Sequence, residues 1–203
     1  KYGNSIDEIK NDNIPLNYLL EVEIKTDKKV SMAHQTADTL KVVSNALEKI
    51  NPDYLIVLGD RYETFAAATA AYILGIKIIH LHGGETTLGA IDNQLRHCIS
   101  QLSSYHFTSA DIHKKKVIQM IGTKENVFNI GPLVIDGLLN YKMLSKKEFE
   151  NQTGFNFKDK NFLITYHPET NSHDLGINGF KTLLDILSKY NCNILFTSPN
   201  ADT

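Results

Sequence analysis

Residues 54–84 read YLIVLGDRYETFAAATAAYILGIKIIHLHGG, and the fold follows from how this stretch is parsed. The apolar run 54–58, rich in β-forming residues, stops at Gly59-Asp60, the pattern of a buried strand emptying into a turn. A helix is predicted over 63–74, with Gly75 closing it, and a second apolar strand over 76–81 ends in His82-Gly83-Gly84. Upstream, Met32, Thr36, Leu40, Val43 and Leu47 recur at helical spacing until Asn51-Pro52. Downstream, a loop over 85–90 leads to a helix over 91–102, a strand over 105–107, a helix over 110–120 and a strand over 127–130 before Gly131-Pro132. Strand and helix alternate, which predicts an α/β fold of right-handed βαβ units around a mainly parallel sheet. Ligand chemistry is then expected at the carboxyl ends of the strands.

Between residues 142 and 160 the composition turns polar and charged, after which 162–166 reads as a strand, 179–190 as a helix and 193–197 as a strand. The expected organisation is an N-terminal Rossmann-like domain over 1–145, a linker over 146–160 and the start of a second Rossmann-like domain over 161–203. The first domain is expected to lack its first strand, since 1–27 is polar and weakly periodic. The second is expected to be incomplete, because so short a segment buries too little surface to stand alone.

The 203 residues carry 21 basic and 23 acidic side chains. That near-neutral balance argues against a nucleic-acid partner, which calls for clustered Lys and Arg. The longest apolar stretch, 65–79, is interrupted by Thr69, Gly75 and Lys77 and falls short of the ~20 residues a bilayer requires; no membrane partner is expected. The two cysteines, Cys98 and Cys192, lie far apart without metal-type spacing, and a reducing cytoplasm is the default location.

Asp60 follows one strand and precedes a helix, so it reads either as a helix cap or as a catalytic carboxylate at a strand end. Arg61 and Glu63 fit a local salt bridge. His80-Leu81-His82-Gly83-Gly84-Glu85 supports three readings. Strand alternation puts His80 and His82 on one face, where Glu85 could join them on a metal; alternatively Gly83 and Gly84 let a ligand approach closely while Glu85 acts as acid or base; or one histidine is a satisfied core residue. The second is favoured for Glu85 and the third for His80. Asp92 and Arg96, four apart on a helix, fit a solvated ion pair or an arginine reaching an anionic ligand. His167 follows the first strand of the second domain and is expected across an interdomain cleft from Asp60 and Glu85. Asn200 and Asp202 lie in a turn by composition.

These motifs, in order, resemble the UDP-N-acetylglucosamine 2-epimerase family, and more closely its hydrolysing branch in sialic or legionaminic acid precursor synthesis. The matching text is Val57 to Glu63, His82-Gly83-Gly84-Glu85, Gly89-Ala90-Ile91-Asp92, Arg96-His97, Tyr105-His106-Phe107, Gly131-Pro132, His167-Pro168 and Pro199-Asn200-Ala201-Asp202. The resemblance implies a two-domain arrangement similar to GT-B glycosyltransferases. It implies elimination of UDP across C1 and C2 of the sugar, then hydration and release of the free 2-epimer, acting on UDP-N-acetylglucosamine or a UDP-2,4-diacetamido-trideoxy sugar. A non-hydrolysing epimerase, a silent nucleotide-sugar binding fragment and a glycosyltransferase are the alternatives.

On this transfer Asp60, Glu85, Asp92 and His82 are the catalytic candidates, and Arg61, Gly83, Gly84, Arg96, His167, Asn200 and Asp202 the substrate-binding ones. Arg96 serves as a diphosphate or loop-positioning cation. The resemblance implies no metal or redox cofactor, a homodimer or homotetramer for the full-length protein, and an inactive fragment for this chain alone. Two departures stand out: several relatives carry a carboxylate where this chain has His82, and some carry a second acidic residue where it has Asn93. Either Glu85 or His82 is then the acid or base, an imidazole being suited to both near neutral pH.

Overall fold

A computed structural model describes residues 5–22, 29–87, 90–167 and 176–197. Helix α1 (Ser5–Asn11) is followed by α2 (Lys29–Ile50), which ends where Asn51 takes a left-handed φ of 47° before Pro52. Then β1 (Tyr54–Leu58), α3 (Tyr62–Ile73) and β2 (Lys77–Leu81) form the expected strand-helix-strand unit. Helix α4 (Asp92–Leu102), β3 (Tyr105–Thr108), α5 (Asp111–Ile121) and β4 (Val127–Asn129) continue the alternation. The strands pair in parallel in the order β1-β2-β3-β4, with Val57 beside His80 and His80 beside His106.

The core joins Leu47 of α2, Val57 of β1, Ala68, Ala70 and Ala71 of α3, Ile78 of β2 and Ile99 of α4. The alanines serve twice. They are the best helix formers, and without bulk beyond Cβ they let α3 pack closely on α2, β1 and β2.

Strand β1 departs from the fully buried strand expected of an unbroken apolar run. Only Val57 is buried, while Tyr54, Ile56 and Leu58 are 46%, 63% and 56% exposed. Among the described residues β1 is an edge strand, so its alternate side chains lack the cover a central parallel strand receives.

After β4 come α6 (Val134–Asn140), α7 (Lys146–Thr153), β5 (Asn161–Thr165), α8 (Ile177–Leu187) and β6 (Asn193–Thr197), with β5 and β6 paired in parallel. The chain divides into two compact units between Gly137 and Leu138. The polar stretch expected as a linker therefore groups with β5 and β6, and it opens with a helix. Ser145 Oγ accepts from the Glu148 N–H at 3.3 Å and Glu148 Oε2 accepts from the Ser145 N–H at 2.7 Å, a complete capping box. Phe149, Phe155 and Phe157 cluster with ring centroids 5.1 to 6.4 Å apart. Among the described residues no helix is long and apolar enough to cross a membrane.

Candidate active site

Two successive βα turns of the first unit, those after β1 and β2, converge on one guanidinium, and the turn after β3 reaches it through Glu85. Gly59, with φ of 78°, turns the chain out of β1 in a conformation that costs a glycine little, and Asp60 follows. Asp60 does not cap α3, whose N-cap is Arg61 without a side-chain cap bond. Its carboxylate instead accepts from Arg96 Nη2. Arg96, on the first half of α4, is buried, and its Nη1 donates to Glu85 Oε2 at 3.0 Å and to the His82 carbonyl at 2.9 Å. Arg96 is thus held by groups far away in sequence.

Glu85 is the best-supported carboxylate of the set. Its Oε1 accepts from Ser109 Oγ at 2.5 Å and lies 3.0 Å from His82 Nδ1, while Oε2 faces Arg96. Partial burial pushes its pKa up, but the Ser109 hydrogen bond and the charges of Arg96, His82 and His113 outweigh this and hold it below the ordinary value of 4.5. Glu85 is therefore an anion at neutral pH. On the far side of the His82 ring, Nε2 faces the Leu133 N–H at 3.5 Å.

The expectation that His80 and His82 share a face is corrected here. Strand β2 ends at Leu81 and His82 takes a left-handed φ of 63°, so the alternation stops between them. The His82 ring goes to Glu85. The His80 ring is fully buried, with Nε2 2.8 Å from the Gly59 carbonyl and Nδ1 3.0 Å from Ser100 Oγ. Burial lowers its pKa to about 4, aided by the nearby His106, Arg96 and His82 and opposed by the Gly59 bond, so the ring is neutral. Both nitrogens are engaged, which makes His80 the satisfied core histidine and leaves it no lone pair for a metal.

The two glycines are close-approach positions, and what approaches is the protein itself. A Cβ on Gly83 would sit 3.0 Å from His80 Nδ1 and from Ser100 Oγ; on Gly84, with φ of 81°, it would sit 2.4 Å from the His113 carbonyl oxygen of α5. Both are buried, which leaves their backbone groups as the only means of touching a ligand. Arg61 pairs with Glu63 at 3.2 Å on the exposed side of α3, the local salt bridge. Asp92 is the first residue of α4, one turn before Arg96. His167 is exposed, two residues past β5 in the other unit. Asn200 and Asp202 lie outside the described residues.

Sequence reasoning missed Ser109 and the Leu133 amide. Ser109 is the first residue after β3, the same kind of slot that drew attention to Gly59-Asp60 and His82. The strand-end rule applied to β3 would have found it.

Residues 3–203 match the sequence profile of the family described as UDP-N-acetylglucosamine 2-epimerase. The chain belongs to that family. Within the epimerase family it is similar to a hydrolysing GDP/UDP-N,N'-diacetylbacillosamine 2-epimerase of Campylobacter jejuni, at 37% identity over 90% of this chain and 48% of the relative. It is 34% identical to a hydrolysing UDP-N,N'-diacetylbacillosamine 2-epimerase of Legionella pneumophila, over 100% of this chain and 53% of the relative. Among solved structures, the UDP-GlcNAc 2-epimerase of Neisseria meningitidis bound to UDP-GlcNAc superposes with a TM-score of 0.80 at 26% identity, covering 95% of this chain and 54% of that one. The chain spans about half the length of the epimerases it matches.

Proposed function

We propose that the protein containing this chain is a hydrolysing nucleotide-sugar 2-epimerase acting on a UDP-2,4-diacetamido-trideoxy sugar. The observation that carries the reaction class is the cluster of Asp60, Glu85 and His82 around buried Arg96 at the ends of β1 and β2. The branch and the substrate are supported by the names of the Campylobacter and Legionella relatives.

A base takes the C2 proton, the C1–O bond to UDP breaks, and a 1,2-unsaturated sugar forms. Water then adds at C1 and a proton returns to C2 on the opposite face, so substrate plus water becomes UDP plus the free 2-epimer. The C2 proton is weakly acidic and must meet a positioned base. Glu85, engaged by Ser109, His82 and Arg96 and acidified by them, suits the part of an orienting anion better than that of a proton donor. This supports His82 as the acid-base group, steadied at Nδ1 by Glu85 in the way a carboxylate orients a catalytic imidazole. Asp60 is the second carboxylate and Asp92 a supporting one. Of the two roles open to Arg96, burial among carboxylates supports loop positioning over diphosphate contact.

In the same reading the 2-epimer feeds a sialic- or legionaminic-type acid, which the name of an Escherichia coli relative, polysialic acid biosynthesis protein P7, supports at 35% identity. The whole protein is a cytoplasmic homo-oligomer of two Rossmann-like domains, with Arg61, Gly83, Gly84, His167, Asn200 and Asp202 contacting the nucleotide sugar.

Mass spectrometry of the products tests the reaction, using the full-length protein with UDP-N-acetylglucosamine and, separately, with the UDP-2,4-diacetamido sugar. Free UDP and a free 2-epimer from the diacetamido sugar alone is the expected result. A UDP-linked epimer moves the protein to the non-hydrolysing branch, and no reaction with either sugar refutes the proposal.

A further inference from the structure

His80 neither donates nor takes a proton in the reaction above, yet its ring joins the three segments that build the cluster. A carbonyl oxygen only accepts, so the contact of 2.8 Å with Gly59 puts the ring proton on Nε2. Nδ1 is then an acceptor and takes the Ser100 hydroxyl proton at 3.0 Å. Ser100 is fully buried and lies one turn beyond Arg96 on α4. The N–H of Gly59 donates to the Leu81 carbonyl at 3.1 Å, so β2 grips the peptide groups on both sides of Gly59, immediately before Asp60. The third segment is the Gly83 turn, whose backbone comes so near that an added Cβ would lie 3.0 Å from both His80 Nδ1 and Ser100 Oγ. One neutral imidazole therefore contacts the turn bearing Asp60, the helix bearing Arg96 and the turn bearing His82 and Glu85.

We infer that His80 is a positioning residue for the epimerase reaction: through the Gly59 carbonyl and Ser100 it sets Asp60 against Arg96 and holds the cluster in register. This rests on the reading of the cluster as catalytic. The physical argument is rigidity, since reacting groups supported by fully satisfied buried hydrogen bonds keep their geometry, and a misplacement of ~1 Å costs roughly 100-fold in rate.

The test uses the full-length protein in three variants. His80→Asn places an amide where Nδ1 stands and does not reach Gly59, His80→Gln places an amide N–H near Nε2 and restores that bond, and Ser100→Ala removes only the hydroxyl. The expected result for His80→Asn is a kcat lower by roughly 100-fold with KM within about 3-fold of wild type, while His80→Gln recovers to within about 10-fold. Ser100→Ala is expected to lower kcat by about 10-fold without changing KM, and it serves as the decisive variant if His80→Asn does not fold. Equal kcat losses in His80→Asn and His80→Gln, or an unchanged kcat in Ser100→Ala, overturn the inference. Crystal structures of the wild type and the His80 or Ser100 variants add a readout independent of turnover. Asp60 is expected to leave Arg96 in His80→Asn, and an unmoved Asp60 overturns the positioning role. If the wild type itself releases no UDP, the functional reading falls while the crystallographic comparison still decides the role of His80.

Discussion

At the scale of single residues, the site is organised by a buried cation shared between two carboxylates, with one imidazole leaning on one of them. Glu85→Gln removes the negative charge that Ser109, His82 and Arg96 converge on. Its turnover is expected to fall by at least about 100-fold with the fold intact, measured as UDP release beside circular dichroism; a wild-type rate removes Glu85 from the mechanism. Asp60→Asn is expected to behave alike, for the added reason that it weakens the anchor of a buried guanidinium. Ser109→Ala takes away one neutral donor from Glu85 and leaves the ion pair, so a loss of roughly 10-fold in kcat is expected, and no change would assign the Ser109 contact to packing alone. Asp60 and Glu85 were legible because they stand in the turns after strand ends, and Arg96 because it stands one helical turn after Asp92 at the start of α4. Their mutual pairing was not, because Asp60 and Arg96 are 36 positions apart in sequence and nothing local connects them.

At the scale of elements, the turns do more than join strands to helices. Gly84 has a left-handed backbone and no room for a Cβ against the His113 carbonyl. Gly84→Ala is therefore expected to destabilise the protein by about 2 kcal/mol or more. Urea unfolding checks this, and a midpoint equal to that of wild type would mean that α5 shifts freely. Ser145→Ala breaks the capping box of α7 and is expected to cost about 1 kcal/mol, visible as lost helicity over 146–153 by hydrogen exchange. That helix was legible in principle, since Ser145 and Glu148 have the capping spacing, but a polar, charged composition masked it. The reverse holds for β1, where an unbroken apolar run reads as buried in any context, and only sheet order reveals that its alternate residues lack cover.

At the scale of the whole molecule, buried histidines tie stability to pH. His80 and His106 are both pushed down to about 4, chiefly by burial, from an ordinary 6.5; the Gly59 and Ser103 hydrogen bonds oppose the shift without reversing it. Between those values the unfolded chain binds protons that the folded chain refuses, so stability falls as pH drops from 6.5 to 4, by up to about 1.4 kcal/mol per pH unit for each ring. Glu85 acts in the same direction at lower pH. Its folded pKa is depressed, so its contribution is present above the unfolded value of 4.5 and is lost as pH falls through the folded one. Urea midpoints at pH 7, 6, 5 and 4.5 are expected to decline steadily, and a flat profile would contradict the neutral burial of the two rings.

By itself, the sequence determined the alternation of strands and helices, the turns at the carboxyl ends of β1 and β2, and the family, because hydrophobic period, glycine placement and ordered motifs are local properties of the chain. Only the tertiary structure decided which partners those residues take. It sent His80 inward to Gly59 and Ser100 and His82 outward to Glu85, although the two stand one residue apart on what looks like a continuous strand. The reason is physical: a single left-handed φ at His82 ends the alternation, long-range hydrogen bonds to a buried arginine fix where the carboxylates of Asp60 and Glu85 point, and Glu85, Gly59 and Ser100 in turn fix the two imidazoles.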